Sequence, residues 1–117
     1  MMFTQEVKNG FEMTGRTAAC EMPAKHAGCR RFVCIYPPRL DKDIPRVDSP
    51  NSLKMRLWHV RRFEIPEGLV DQYFGEEQLI DAESVELDTL EAVEALLADW
   101  GIESGVFQAP WRTDYPL

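Results

Sequence analysis

An α+β fold is predicted: a single domain over residues 1–117, with an antiparallel sheet packed against two or three helices. Three observations predict it. The run Phe32-Val33-Cys34-Ile35-Tyr36 is aromatic and β-branched and stops at Pro37-Pro38, as a strand does. Leu90, Val93, Leu96, Leu97 and Trp100 recur at helical spacing, and Gly101 closes the run. At 117 residues and 44% hydrophobic, the chain has enough apolar material for one core.

Taken in order, residues 3–28 give mixed signals. Phe11-Glu12-Met13-Thr14 alternates and reads as a strand, and the Gly, Pro and Ala residues around Pro23 and Gly28 read as a loop. In the strand at 31–36, Phe32, Cys34 and Tyr36 share one face, with Val33 and Ile35 on the other. Both faces are apolar, so this strand belongs in the middle of its sheet.

Residues 37–52 hold four prolines and read as a long loop, a partner surface or a plain connection. Leu53-Lys54-Met55-Arg56-Leu57 then alternates apolar with basic, as a half-exposed strand does. Val60, Phe63 and Ile65 do not continue that phase, which predicts a bulge or break near Trp58 and His59. Pro66 and Glu67 suit a helix start, with Leu69, Val70, Tyr73 and Phe74 as its apolar face and Gly75 as its stop. A short strand is expected over 84–87. Asp88 is the expected cap of the next helix, with Glu91 reaching back to it. One further turn follows from Ser104 to Phe107. The end of the chain, rich in aromatic residues through Trp111 and Tyr115, is expected to dock on the core.

Charge is segregated along the chain. Twelve of the thirteen Lys and Arg residues lie between Lys8 and Arg62, where only six acids occur, a net of +6. From Phe63 onward fourteen acids face the single Arg112, a net of −13. Between Phe63 and Trp111 there is no basic side chain. Such a segment opposes compaction by self-repulsion and attracts cationic partners. The pI near 4.8 argues against a nucleic-acid-binding domain, whose footprint normally makes the domain basic. An alternative reading keeps one: a small nucleic-acid-binding regulator on the stripe Lys54, Arg56, Arg61 and Arg62, with Arg30, Arg31 and Trp58. Against it, the same cations can pair internally with the acidic second half.

No catalytic pattern stands out. Cys20, His26, Cys29 and Cys34 lie within fifteen residues and offer thiolate and imidazole, the ligand types of tetrahedral zinc. Paired ligand spacing is absent, however, and Cys34 sits inside an apolar strand, where a cysteine is normally a small buried hydrophobe. Neither a metal nor another cofactor is expected, and no enzyme. Three cysteines, an odd number, argue against a complete disulfide framework and suit a reducing compartment. The first residues lack the apolar stretch of a signal peptide, and no run is long enough to span a membrane. The expectation is a cytoplasmic chain, monomeric rather than oligomeric, with no membrane association.

The stretch Ser84-Val85-Glu86-Leu87-Asp88-Thr89-Leu90-Glu91, the helix ending Ala98-Asp99-Trp100-Gly101 and the closing Pro110-Trp111-Arg112-Thr113-Asp114-Tyr115-Pro116-Leu117 carry a resemblance. They resemble the C-terminal parts of small cytoplasmic immunity proteins encoded beside bacterial polymorphic toxins, including those of contact-dependent growth inhibition. The resemblance covers about the last third of the chain and is one of general pattern. It implies a non-enzymatic inhibitor that binds a cognate toxin domain, often a nuclease. The charge distribution points the same way, because nucleases hold phosphates on basic surfaces. The expected contact residues are Glu76, Glu77, Asp81, Glu83, Glu86 and Glu94, with Tyr73, Phe74 and Trp111 as aromatic anchors.

Overall fold

The computed structural model describes residues 3–38, 57–70, 78–109, 113 and 115. Helix α1 (Gln5–Asn9) is capped by Thr4, whose hydroxyl accepts the Val7 N–H at 3.3 Å. It runs directly into a π-helical turn over Gly10–Thr14. The strand expected at 11–14 is therefore helical. Alternation over four residues cannot separate the two forms, whereas Phe3, Val7 and Phe11, all buried, recur every four residues.

Four strands follow: β1 (Ala18–Met22), β2 (Cys29–Tyr36), β3 (Trp58–Pro66) and β4 (Ile80–Leu87). They form one antiparallel sheet in the order β1-β2-β3-β4. With helix α2 (Leu90–Asp99) laid against it, the architecture is α+β, as the sequence predicts. Strand β2 is internal, which its two apolar faces require. The outer edge of β1 is covered in part by Gln108, which exchanges two backbone hydrogen bonds with Ala19 at 2.8 and 2.9 Å. Strand β4 is the other edge.

The sheet buries both sides. On one, Ala18, Cys20, Val33, Ile35 and Val60 pack with Phe3, Val7 and Phe11 and with Val93 and Leu97 of α2. On the other, Phe32, Phe63, Ile65 and Val70 pack with Leu69, Leu79 and Tyr115. Each fully buried Phe, Ile or Leu contributes roughly 1.5–3 kcal/mol by leaving water, so neither layer is incidental. Tyr115 sits 6.0 Å from Phe32 and 5.9 Å from Phe63, ring to ring, so the closing segment docks at this residue.

Several boundaries differ from expectation. Strand β3 pairs with β2 without interruption from His59 to Pro66, so there is no break near Trp58. The irregularity lies on β4, where Asp81 and Ala82 together oppose Phe63. Asp81 takes a positive φ of 52° there, a backbone state that Asp tolerates better than most residues. Pro66 ends β3 and is followed by a single 3-10 turn, Glu67–Leu69. The rest of the helix expected there, with Tyr73, Phe74 and Gly75, lies outside the described residues, as do 39–56 of the long loop and the expected basic strand. The strand expected at 84–87 starts earlier, at Ile80. The cap of α2 is Thr89, not Asp88: its hydroxyl accepts the Ala92 N–H at 3.1 Å. Gly101 ends α2 with φ +72°, and the 3-10 turn Ser104–Val106 follows as expected. Among the described residues no helix is long and apolar enough to cross a membrane.

Candidate functional site

The residues foreseen as contacts divide into three groups. Tyr73, Phe74, Glu76, Glu77 and Trp111 lie outside the described residues. On β4, register places Glu83 and Glu86 on opposite faces of the sheet. Glu83 accepts two hydrogen bonds from Arg62, from Nε at 2.9 Å and Nη2 at 2.6 Å. The same guanidinium stacks 3.9 Å from the centre of the Trp100 ring, tying β3 to the end of α2. Glu86 faces His59 at 4.0 Å. Asp81, swung out by the bulge, lies 3.7 Å from Nε2 of His26. The β4 acids thus form no single patch, and Glu83 is countered by a base of the first half of the chain.

The acids of α2 and the turn after it behave differently. Residues 88–109 carry Asp88, Glu91, Glu94, Asp99 and Glu103 and no base. Among the described residues no cation lies within ion-pair distance of Glu91, Glu94, Asp99 or Glu103. The helix folds because Val93 and Leu97 are fully buried against the sheet, which leaves its acidic stripe to solvent. Glu91, Glu94 and Glu103 line an open cleft of about 600 Å³ with Ala95, Ala98, Gly101, Ile102 and Ser104. The cleft runs along α2 from Glu91 in its first turn to Gly101 just past its end, and only at that end does the helix macrodipole add negative potential. This region carries negative charge that no cation of the described residues offsets.

A second centre was not foreseen. Glu64 is fully buried on β3, yet it carries four donors. The backbone N–H groups of Lys25 and His26 reach it at 2.8 and 3.0 Å, His26 Nδ1 at 3.0 Å and Arg31 Nη1 at 3.1 Å. Burial alone would raise this carboxyl, but the Lys25 amide, the His26 imidazole and amide and the Arg31 guanidinium outweigh it and hold it down at about 2. An ionised acceptor at that distance makes Nδ1 the protonated nitrogen and turns Nε2 toward Asp81. A charged residue between Phe63 and Ile65 was the available signal, since a strand interior tolerates an acid only where donors converge. The arrangement fixes the β1–β2 connection onto β3. It brings no nucleophile to His26 among the contacts described.

The cysteines do not converge. Register puts Cys20 on the α2 side of the sheet and Cys34 on the other. Burial pushes the Cys20 thiol up to about 12, with the nearby Cys34 adding to it. Burial likewise pushes Cys34 up to about 11, against hydrogen bonds from Tyr115, Tyr36 and Thr17. Among the described residues no three His, Cys, Asp or Glu side chains gather closely enough to hold a metal ion. Of the basic stripe, Lys54 and Arg56 lie outside the described residues. Arg31 is committed to Glu64, Arg62 to Glu83 and Arg30 to a bidentate pair with Glu21. Comparison with protein-family models, with curated proteins and with solved structures finds no match for this chain.

Proposed function

We propose that this chain is a stoichiometric protein inhibitor of the immunity type. It acts in the cytoplasm by capping the basic surface of a toxin domain, a nuclease in the reading favoured here. The observation that carries the proposal is the division of its acids. On the sheet Glu64 meets Arg31 and Glu83 meets Arg62, whereas Glu91, Glu94, Asp99 and Glu103, on α2 and just after it, have no counter-charge among the described residues. A carboxylate array of this sort can occupy the phosphate positions of a nuclease and speed encounter by electrostatic steering. The contact surface is accordingly centred on Glu94 and its neighbours, away from β4.

The plain alternative is a solvated helix face with no partner, since acidic helix surfaces are common. A nucleic-acid-binding regulator is disfavoured by the engagement of Arg30, Arg31 and Arg62 in pairs with Glu21, Glu64 and Glu83. The discriminating experiment looks in the adjacent gene for the basic toxin domain that this reading requires and co-expresses that domain with this chain. A 1:1 complex that blocks the domain's activity is expected, with association slowing as salt rises. The triple reversal Glu91→Lys, Glu94→Lys and Glu103→Lys should slow association by roughly tenfold or more at low salt. Absence of any complex would remove the inhibitor reading, and unchanged kinetics in the reversal would remove the α2 surface.

A further inference from the structure

We propose that the outer edge of β4, over residues 83–87, is a docking site for an extended segment of a protein partner, which joins the sheet antiparallel as a further strand. This surface is distinct from the acidic stripe of α2, and the inference stands apart from the inhibitor reading. Strand β4 ends the strand order, with β3 as its sole neighbour among the described residues. In an antiparallel pair, alternate residues turn both N–H and C=O away from the neighbouring strand. Among the described residues, no such group on 83–87 has a hydrogen-bond partner beyond β3. The opposite edge differs, because Ala19 of β1 already exchanges two hydrogen bonds with Gln108. Over 83–87 the pairing with 58–62 is regular, so the free groups have the spacing that an incoming strand requires. The bulge at Asp81 and Ala82 limits the site at one end, and the turn into α2 limits it at the other.

The side chains flanking this edge define its occupant. Val85 pairs with Val60 and Leu87 with Trp58, which places both on the α2 side of the sheet together with Glu83. Ser84 and Glu86 face the other way. A flat surface cannot meet Glu83 and Glu86 at once, whereas an extended strand, with side chains alternating between the faces, can. Both carboxylates keep room for a further donor. Arg62 directs both of its bonds to Oε2 of Glu83, which leaves Oε1 without a hydrogen bond among the described residues. Glu86 meets His59 at 4.0 Å, beyond hydrogen-bond length. The two side chains are 47% and 46% exposed. Running antiparallel from Leu87 to Glu83, the matching segment reads apolar, cationic, apolar, polar, cationic. A second copy of this chain is a poor occupant, since edge-to-edge pairing would crowd Glu83 and Glu86 of both chains into one short ladder.

The test titrates the isotope-labelled full chain at low salt with the peptide acetyl-Thr-Val-Lys-Val-Thr-Lys-Thr-amide, followed by amide NMR. Saturable shifts centred on 83–87 are expected. Alternate amides of that stretch should exchange fast in the free chain and become protected in the complex. The same peptide N-methylated at alternate backbone nitrogens should bind at least about tenfold more weakly, having lost its strand donors. A peptide with Glu in place of Lys should show no saturable binding. In the protein, Glu83→Gln combined with Glu86→Gln should weaken the Lys peptide by roughly threefold or more while leaving the rest of the spectrum in place. Shifts that never saturate, equal binding of the N-methylated peptide, or indifference to the double substitution would overturn the site. So would protection of every 83–87 amide in the free chain, which would mean that the edge is already covered, by a second copy if light scattering then finds a dimer.

Discussion

His26 donates from Nδ1 to Oε1 of the fully buried Glu64 across 3.0 Å, and through that contact the β1–β2 connection is held on the third strand. The Lys25 and His26 amides and Arg31 complete the cage. The Glu64 carboxyl is held at about 2 against an ordinary 4.5, so its stabilising effect is present above pH 4.5. It is lost as pH falls from 4.5 toward 2. The shift corresponds to a contribution on the order of 3 kcal/mol. Glu64→Gln should therefore destabilise the fold by about 3 kcal/mol at pH 7, leaving the part-buried Arg31 without its partner. Denaturant unfolding at stepped pH should show wild type and variant converging as pH approaches 2. A constant gap across that range would refute the account.

The cap of α2 gives a cleaner comparison, because two adjacent residues competed for the role. Thr89 accepts the Ala92 N–H at 3.1 Å. Thr89→Ala should cost about 1 kcal/mol, and Asp88→Ala only a few tenths through the helix dipole. Thermal or denaturant midpoints of the two variants settle the order. A larger loss for Asp88→Ala would place the cap where the sequence pattern alone puts it.

These two residues also mark how far the sequence could be read. The helix at 90–99 was legible because its apolar period of 3.6 is undisturbed, and the central strand because both its faces are apolar. Strand β3 misled for a physical reason. Trp58 and Val60 serve the α2 side, Phe63 and Ile65 serve the other, and the sites between are taken by Arg62 and Glu64. The core changes sides along one strand, so apolar spacing mimics a phase shift that the backbone does not make. The acidic surface was legible only as composition. Pairing of Glu83 and Glu64 by Arg62 and Arg31 is set by cross-strand register, which a linear charge count does not contain.

Arg62 couples two parts of the fold at once, bonding Glu83 on β4 and stacking on Trp100 at the end of α2. Its pair with Glu83 is partly exposed, so that contact alone is worth under about 1 kcal/mol. The stacking adds a comparable amount. Arg62→Ala should cost about 1–2 kcal/mol and shift the Trp100 emission, whereas Glu83→Gln should cost less than half as much and leave the emission in place. Equal losses would mean that the ring contact contributes nothing.

The three thiols should differ sharply in reactivity. Cys20 and Cys34 are 3% and 0% exposed, and burial drives their thiols up to about 12 and about 11. At pH 8 their thiolate fractions are then about one in ten thousand and one in a thousand, and closed packing blocks reagent as well. Cys29, at the start of β2, is part-exposed and needs no opening to be reached. Titration of native protein with a chromogenic disulfide reagent should show one fast thiol, followed by two that appear together at the rate of global unfolding. Adding denaturant should accelerate only the slow pair, because their exposure requires the sheet to separate from α2 on one side and from Tyr115 on the other. A second fast thiol in the absence of denaturant would show that one of the two layers opens by itself, contrary to the packing described.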